Sequence, residues 1–183
     1  MINTRFTFEL DASSKTKALP HKLLINQNET ETIDHVALKL LSFLLFFRDR
    51  LKIETDVDLD HIPFTPDLVQ LDYCLRPALW VECGECEVKK LKKLSVKAAD
   101  AEIWIVTKHP RLAQSLLDKM SKAGLRKNRF SILAFDPEMF TECSSLIAAK
   151  NKVFWHRCSW APAQLEFDLN EVWFDAPFSV WRF

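Results

Sequence analysis

The 183 residues predict a mixed α/β domain, α+β toward its ends: a mixed β-sheet flanked by helices, with an additional N- and C-terminal β-layer. Three observations carry that expectation. Apolar strands and amphipathic helices alternate from about Ala78 to Phe135, which implies parallel strands joined by right-handed crossovers. A wide apolar stripe recurs at helical spacing from Ile33 to Phe47. Both ends of the chain read as extended. No repeat, low-complexity tract or proline-rich linker interrupts residues 1–183, so they are read as one domain with its core at about 28–135.

Taken in order, Arg5 to Leu10 alternates with Phe6 and Phe8 on one face, and Leu23–Ile25 follows as its partner strand. Asn28 and Glu31 have the spacing of a capping box ahead of a helix over about 30–48. An acidic connector at 54–61 leads to a hairpin of 66–72 and 78–83. A lysine-studded helix follows at about 86–99, with Val88, Leu91, Leu94 and Ala98 inward. Glu102–Thr107 reads as a buried strand, 111–123 as a helix stopped at Gly124, Phe130–Phe135 as a strand, and 137–150 as a helix opened by Pro137. The tail, with Trp155, Trp160, Trp173, Phe178, Trp181 and Phe183, reads as extended and aromatic.

Composition narrows the function. With Gly84 and Gly124 the only glycines, neither a Walker loop nor a Rossmann fingerprint exists. The longest apolar run, near Val36 to Phe47, is broken by Lys39 and Ser42 and is shorter than the ~20 residues of a membrane span, so no membrane is expected. Five cysteines and no recognisable leader point to a reducing cytoplasm. Net charge is zero but unevenly spread. Residues 1–88 carry 9 Lys/Arg against 15 Asp/Glu, residues 89–129 carry 12 against 3, and residues 130–183 carry 4 against 7. A basic middle is flanked by acidic ends.

Pro66-Asp67 is followed fifteen positions later by Glu82, close to the end of an apolar strand. Two ionised carboxylates brought together by a hairpin are costly unless a cation neutralises them. A divalent ion answers that need, since magnesium and manganese take hard carboxylate oxygens. Phosphate oxygens would complete the shell, and a neighbouring lysine would orient or deprotonate an attacking water.

These residues resemble a known family. Pro66-Asp67 with Trp80-Val81-Glu82-Cys83-Gly84, the opening Glu31-Thr32-Ile33-Asp34, the run Leu38-Lys39-Leu40-Leu41 and the pair Lys92-Lys93 are similar to the divergent PD-(D/E)xK motif of YaeQ-like proteins. The resemblance covers about residues 28–107. It implies a restriction-endonuclease-like core and a Mg2+- or Mn2+-dependent phosphodiesterase acting on nucleic acid. Asp67 and Glu82 would hold the metal, Glu31 would add a carboxylate, and Lys93 would orient the water, with Lys89 as its rival. The standard motif has lysine two residues after the second acid, where this chain has Gly84. That departure motivates an alternative: a degenerate nucleic-acid-binding or regulatory protein that keeps the nuclease fold. Lys89, Lys92, Arg126 and Lys127 are the candidate phosphate contacts.

Other patterns suggest less. Cys83-Gly84-Glu85-Cys86 is a CxxC with no second half for zinc. Asp56 to Asp60 mimics the start of an EF-hand loop, but His61 stands where glycine is required. His35 and His109 look isolated. The tail aromatics suit core packing, a homodimer interface or a partner-binding module.

Overall fold

The computed structural model describes residues 4–13, 19–55 and 62–183. The EF-hand-like stretch at 56–61 therefore lies outside the described residues. The chain runs β1 Thr4–Ala12, β2 Lys22–Gln27, α1 Ile33–Phe46, β3 Leu51–Ile53, β4 Leu68–Leu71, β5 Pro77–Cys83 and α2 Val88–Lys97. It continues with β6 Glu102–Thr107, α3 Pro110–Lys122, β7 Phe130–Phe135, α4 Pro137–Ser145, β8 Lys150–Trp160, β9 Ala163–Leu169 and β10 Val172–Arg182. The ten strands form one sheet in the order β2-β1-β8-β9-β10-β7-β6-β5-β4-β3. β5, β6 and β7 are parallel neighbours, as the alternating pattern predicts, and β1 pairs parallel with β8. The terminal strands were expected as an added layer. Instead they prolong the same sheet, because β10 pairs with β7 and β8 with β1.

This sheet curls around α1 until it is nearly closed. Every residue of α1 from Val36 to Phe46 is buried, so a helix apolar almost all round needs cover on all sides. The cover comes from the inward faces of β1, β2, β5, β8, β9 and β10, with Phe8, Ile25, Val81, Phe167 and Phe174 in one core. Met139, Phe140 and Cys143 of α4 join that core. On the opposite face of β5, β6 and β7, Trp80, Ile105 and Ile132 pack under α2 and α3 with Leu91, Leu94, Ala113 and Leu116.

The two edges of the curled sheet meet at one point. The Asn26 backbone N–H and side-chain amide on β2 both donate to Glu54 Oε2, each at 2.8 Å, just after β3. Beneath them Lys39 of α1, 1% exposed, donates to Glu54 Oε1 at 2.8 Å and contacts Asn26 O at 3.4 Å. A lysine on the buried helix thus holds the seam between the first and last strands of the sheet.

Two local expectations are corrected. The Asn28–Glu31 pair does close a turn, with Asn28 N–H donating to Glu31 Oε2 at 3.1 Å, but α1 starts two residues later, after an N-cap at Thr32 that makes no side-chain cap bond. The helix at 137–150 stops at Ser145 because Asn151 ties up Ala148 from both sides and Lys150 enters β8 opposite Thr7. The short β3 was not anticipated. Of the tail aromatics Trp155, Phe178 and Phe183 are buried and Trp181 half-buried, whereas Trp160 and Trp173 are exposed. Among the described residues no helix is long and apolar enough to cross a membrane.

Because α1 is enclosed, truncation inside it leaves a cavity with little room to collapse. Leu44→Ala, at a fully buried position, should cost about 2–5 kcal/mol in urea unfolding, while Val96→Ala on the exposed side of α2 should stay within about 0.5 kcal/mol. Equal midpoints for the two would contradict the enclosed-helix architecture.

Candidate functional site

The N-terminus of α1, the start of β4 and the C-terminal end of β5 come together at one rim of the curled sheet. Asp67 is positioned by the hairpin: its N–H donates to Val81 O at 3.2 Å and its Oδ2 accepts the Cys83 N–H at 2.7 Å. Its other oxygen meets α1, where His35 Nε2 lies 3.0 Å from Asp67 Oδ1 and 3.4 Å from Glu31 Oε1. Lys39, one turn further along the helix, donates to Glu31 Oε1 and Oε2 at 2.9 and 3.0 Å and sits 3.8 Å from Asp67 Oδ1. Glu31, His35 and Asp67 each offer one ligand atom, and these lie within 4.8 Å of one another.

Electrostatics keep Asp67 and Lys39 charged. Burial alone would raise the Asp67 carboxyl, but the bond and charge of His35, the Cys83 N–H and Lys39 outweigh it and hold the group below its ordinary value. Burial alone would lower Lys39, yet its bonds to Glu54 and Glu31 and the charge on Asp67 leave its ammonium with a raised pKa. The lysine is therefore a fixed cation at neutral pH.

Glu82 faces the other way. Successive residues of β5 alternate between faces, so Val81 and Cys83 point at α1 while Trp80 and Glu82 point toward α2. Glu82 Oε1 accepts from Trp80 Nε1 at 2.7 Å, and Oε2 pairs with Lys90 Nζ at 2.6 Å. Burial pushes Glu82 up, Lys90 and Trp80 oppose it, and Asp67 adds to the rise, so its pKa is raised overall. The site thus brings together Glu31 and Asp67, with Glu82 as an electrostatic neighbour whose oxygens are engaged elsewhere.

The lysine expected beside Glu82 is a different one. Lys89, Lys93 and Lys97 follow one another at i+4 spacing on the exposed side of α2, while Lys90 shares the side of buried Leu94. Gly84 has a second explanation as well. Its φ of +84° is a left-handed conformation that side chains rarely adopt, and a Cβ there would lie 3.4 Å from His35 Nδ1. The motif's missing lysine corresponds to a turn residue packed under His35.

The other phosphate candidates lie elsewhere. Lys92, Arg126 and Lys127 are exposed, and the last two precede β7 at the opposite end of the parallel strands, where Lys127 stacks on Phe183 at 3.7 Å. The CxxC thiols are unsuited to exchange: burial pushes Cys83 well above its ordinary value and Cys86 up to about 12. Sequence reasoning assigns no site role to His35, Lys39, Glu54 or Lys90, although Lys39 lies in a run that carries the family resemblance. A signal existed for His35, since Glu31 and His35 are four apart at a helix opening and so share a face.

The architecture recurs in proteins of known structure. A family model described as YaeQ protein matches residues 3–156. The crystal structure of a YaeQ protein from Xanthomonas axonopodis pv. citri superposes with a TM-score of 0.75 at 20% identity, covering 99% of this chain and 99% of that one. One from Pseudomonas syringae gives 0.74 at 13% identity, over 97% and 95% respectively. At such identities the likeness is one of fold. No curated protein matches the chain.

Two outcomes follow from the cluster. Lys39→Met leaves three carboxylates without their cation and should cost about 3–5 kcal/mol in urea unfolding, a loss that Lys93→Met should not reproduce. Asp67 is held below its ordinary pKa, so its stabilisation is complete above about pH 3.9 and is lost as pH falls through the lowered folded value. Asp67→Asn should flatten the acid limb of a stability–pH curve; an unchanged limb would contradict the assignment.

Proposed function

The chain belongs to the YaeQ family, and on the geometry at the head of α1 we propose that this member is a divalent-metal-dependent phosphodiester hydrolase acting on nucleic acid. One observation carries the reading: the ligand atoms of Glu31, His35 and Asp67 converge within 4.8 Å. The separations of His35 Nε2 from the two carboxylate oxygens, 3.0 and 3.4 Å, match those of adjacent donors around a small ion with bonds of about 2.1 Å.

Charge supports the same reading. Glu31, Glu54 and Asp67 surround a single ammonium, Lys39. As a metal ligand His35 would be deprotonated, and two negative charges would then remain over, the number one divalent ion balances. A donor set of one imidazole and two carboxylates suits manganese better than magnesium. When bound, such an ion would polarise a phosphoryl oxygen and lower the pKa of a coordinated water.

The chain's own groups have defined parts in this proposal. Asp67 and Glu31 are carboxylate ligands and His35 the nitrogen ligand. Lys39 fixes both oxygens of Glu31 and, because it stays protonated, contributes positive potential and no proton abstraction. Glu82 and Lys90 form a neutral pair on the other face, and Asp67 links them electrically to the cluster. The restriction-endonuclease-like assignment of the core belongs to this proposal. It is supported by parallel β5 and β6, with Glu82 near the end of β5 and Asp67 beside it at the head of β4.

A second reading has its own observation. Lys39 and Lys90 already pair with the acids of the motif, and Gly84 supplies no ammonium. A protein that kept the fold and bound nucleic acid without turnover would look like this.

Labelled single-stranded DNA and RNA incubated with manganese, magnesium or chelator separate the two. The hydrolase reading expects cleavage with metal alone, reduced about a hundredfold or more in Asp67→Asn. Cleavage equal in wild type and variant, or none with either metal, would contradict it.

A further inference from the structure

Two cavities lie beside the cluster. One of about 550 Å³ is lined by Glu31, Asp34, His35 and Lys108 among others, and one of about 220 Å³ runs between the β5–α2 turn and α3 as far as Lys119. They share Gly84, Glu85 and Leu112, so they form one trough across the C-terminal ends of β5 and β6. Among the described residues Lys108 and Lys119 are the lysines in its walls, and none of Lys89, Lys92 or Lys93 lines either cavity.

Lys108 already holds an anion. Its Nζ pairs with Asp34 Oδ2 at 2.5 Å, joining the β6–α3 turn to the first turn of α1. That pair is the more exposed, at 47% and 30%, whereas Glu31 and Asp67 are each 15% exposed. The Asp34–Lys108 pair is therefore the more solvent-accessible of the charged groups beside the cluster. A phosphate diester carries the charge that would replace Asp34 on Lys108.

Resting on the hydrolase reading for the chemistry it serves, we infer that the trough takes single-stranded nucleic acid, with Lys108 and Lys119 as its phosphate contacts. The larger cavity falls within the volume range of small-ligand pockets and the smaller one below it. A phosphate of a stacked duplex is held at the surface of a rigid helix, while a single strand bends to bring one down to recessed acids. Glu31, Asp34, Glu85 and Glu87 also line the trough and repel phosphates that no lysine or bound cation offsets, which weighs most against the doubled charge of a duplex. Among the described residues no Phe, Trp or Tyr lines the trough, so base stacking contributes little and the backbone charge sets affinity.

Fluorescence anisotropy of labelled oligothymidine, and of a duplex of equal length, in calcium across a salt series tests the assignment. Two phosphate contacts on a single strand give a log–log salt slope of about −1.4. Lys108→Gln and Lys119→Gln should each halve that slope and weaken binding about fivefold at ~0.1 M salt. Lys93→Gln should leave both unchanged. Asp34→Asn frees Lys108 and should tighten binding by a similar factor, which separates charge exchange from a general loss of structure. Tighter binding of the duplex, no measurable binding of either probe, or single-strand affinity unaltered by both lysine variants would overturn the inference. Replacing calcium with manganese in the same samples reads cleavage separately: intact binding without cleavage supports the trough and sinks the hydrolase reading.

Discussion

One buried ammonium organises this protein. Lys39 Nζ contacts carboxylates from three separate segments: Glu31 ahead of α1, Glu54 after β3 and Asp67 at the head of β4. Taking an ammonium out of water costs several kcal/mol unless good partners compensate, and leaving those partners alone would cost more. The arrangement is therefore all or nothing. When it forms, the edges β2 and β3 are brought together through Asn26 and Glu54, and the acids at the rim are gathered in the same step. Closure of the sheet and assembly of the candidate site depend on a single side chain.

That dependence changes the electrostatic problem the hairpin poses. Asp67 and Glu82 need neutralising, and a shared cation between them is the simplest solution. The structure distributes the task across the two faces of β5, with Lys39 and His35 toward α1 and Lys90 toward α2. Among the described residues carboxylates outnumber lysines on the α1 side, where Glu31, Glu54 and Asp67 meet Lys39. The imidazole of His35, packed over Gly84, puts a nitrogen donor where that excess lies.

The periodic features were legible because apolar spacing records burial directly. The α1 stripe, the 66–83 hairpin and the strand–helix alternation through β7 all appear close to where the sequence places them. What escaped was long-range. Nothing local to Asn26 or Glu54 reveals that two strands far apart in sequence become the meeting edges of one sheet. Lys39 reads as a break in an apolar run, since a lysine in the middle of a helix is ordinarily solvated; it is buried here only because carboxylates from elsewhere converge on it. Lys90 was missed through helix phase, four residues before buried Leu94 in a run where neighbouring lysines face solvent. The family resemblance points to Glu31 and Asp67, which the structure brings together, whereas His35 between them reads in the sequence as a lone histidine.

The central claim is that Glu31, His35 and Asp67 form a site for a divalent cation beside the Lys39 seam. Calorimetric titration of manganese into the wild-type chain and into His35→Ala tests it most directly, since His35 lies outside the seam itself. The account predicts one site per wild-type chain, lost or weakened at least about tenfold in the variant. Failure of the wild-type protein to bind manganese, or equal binding by His35→Ala, would contradict it.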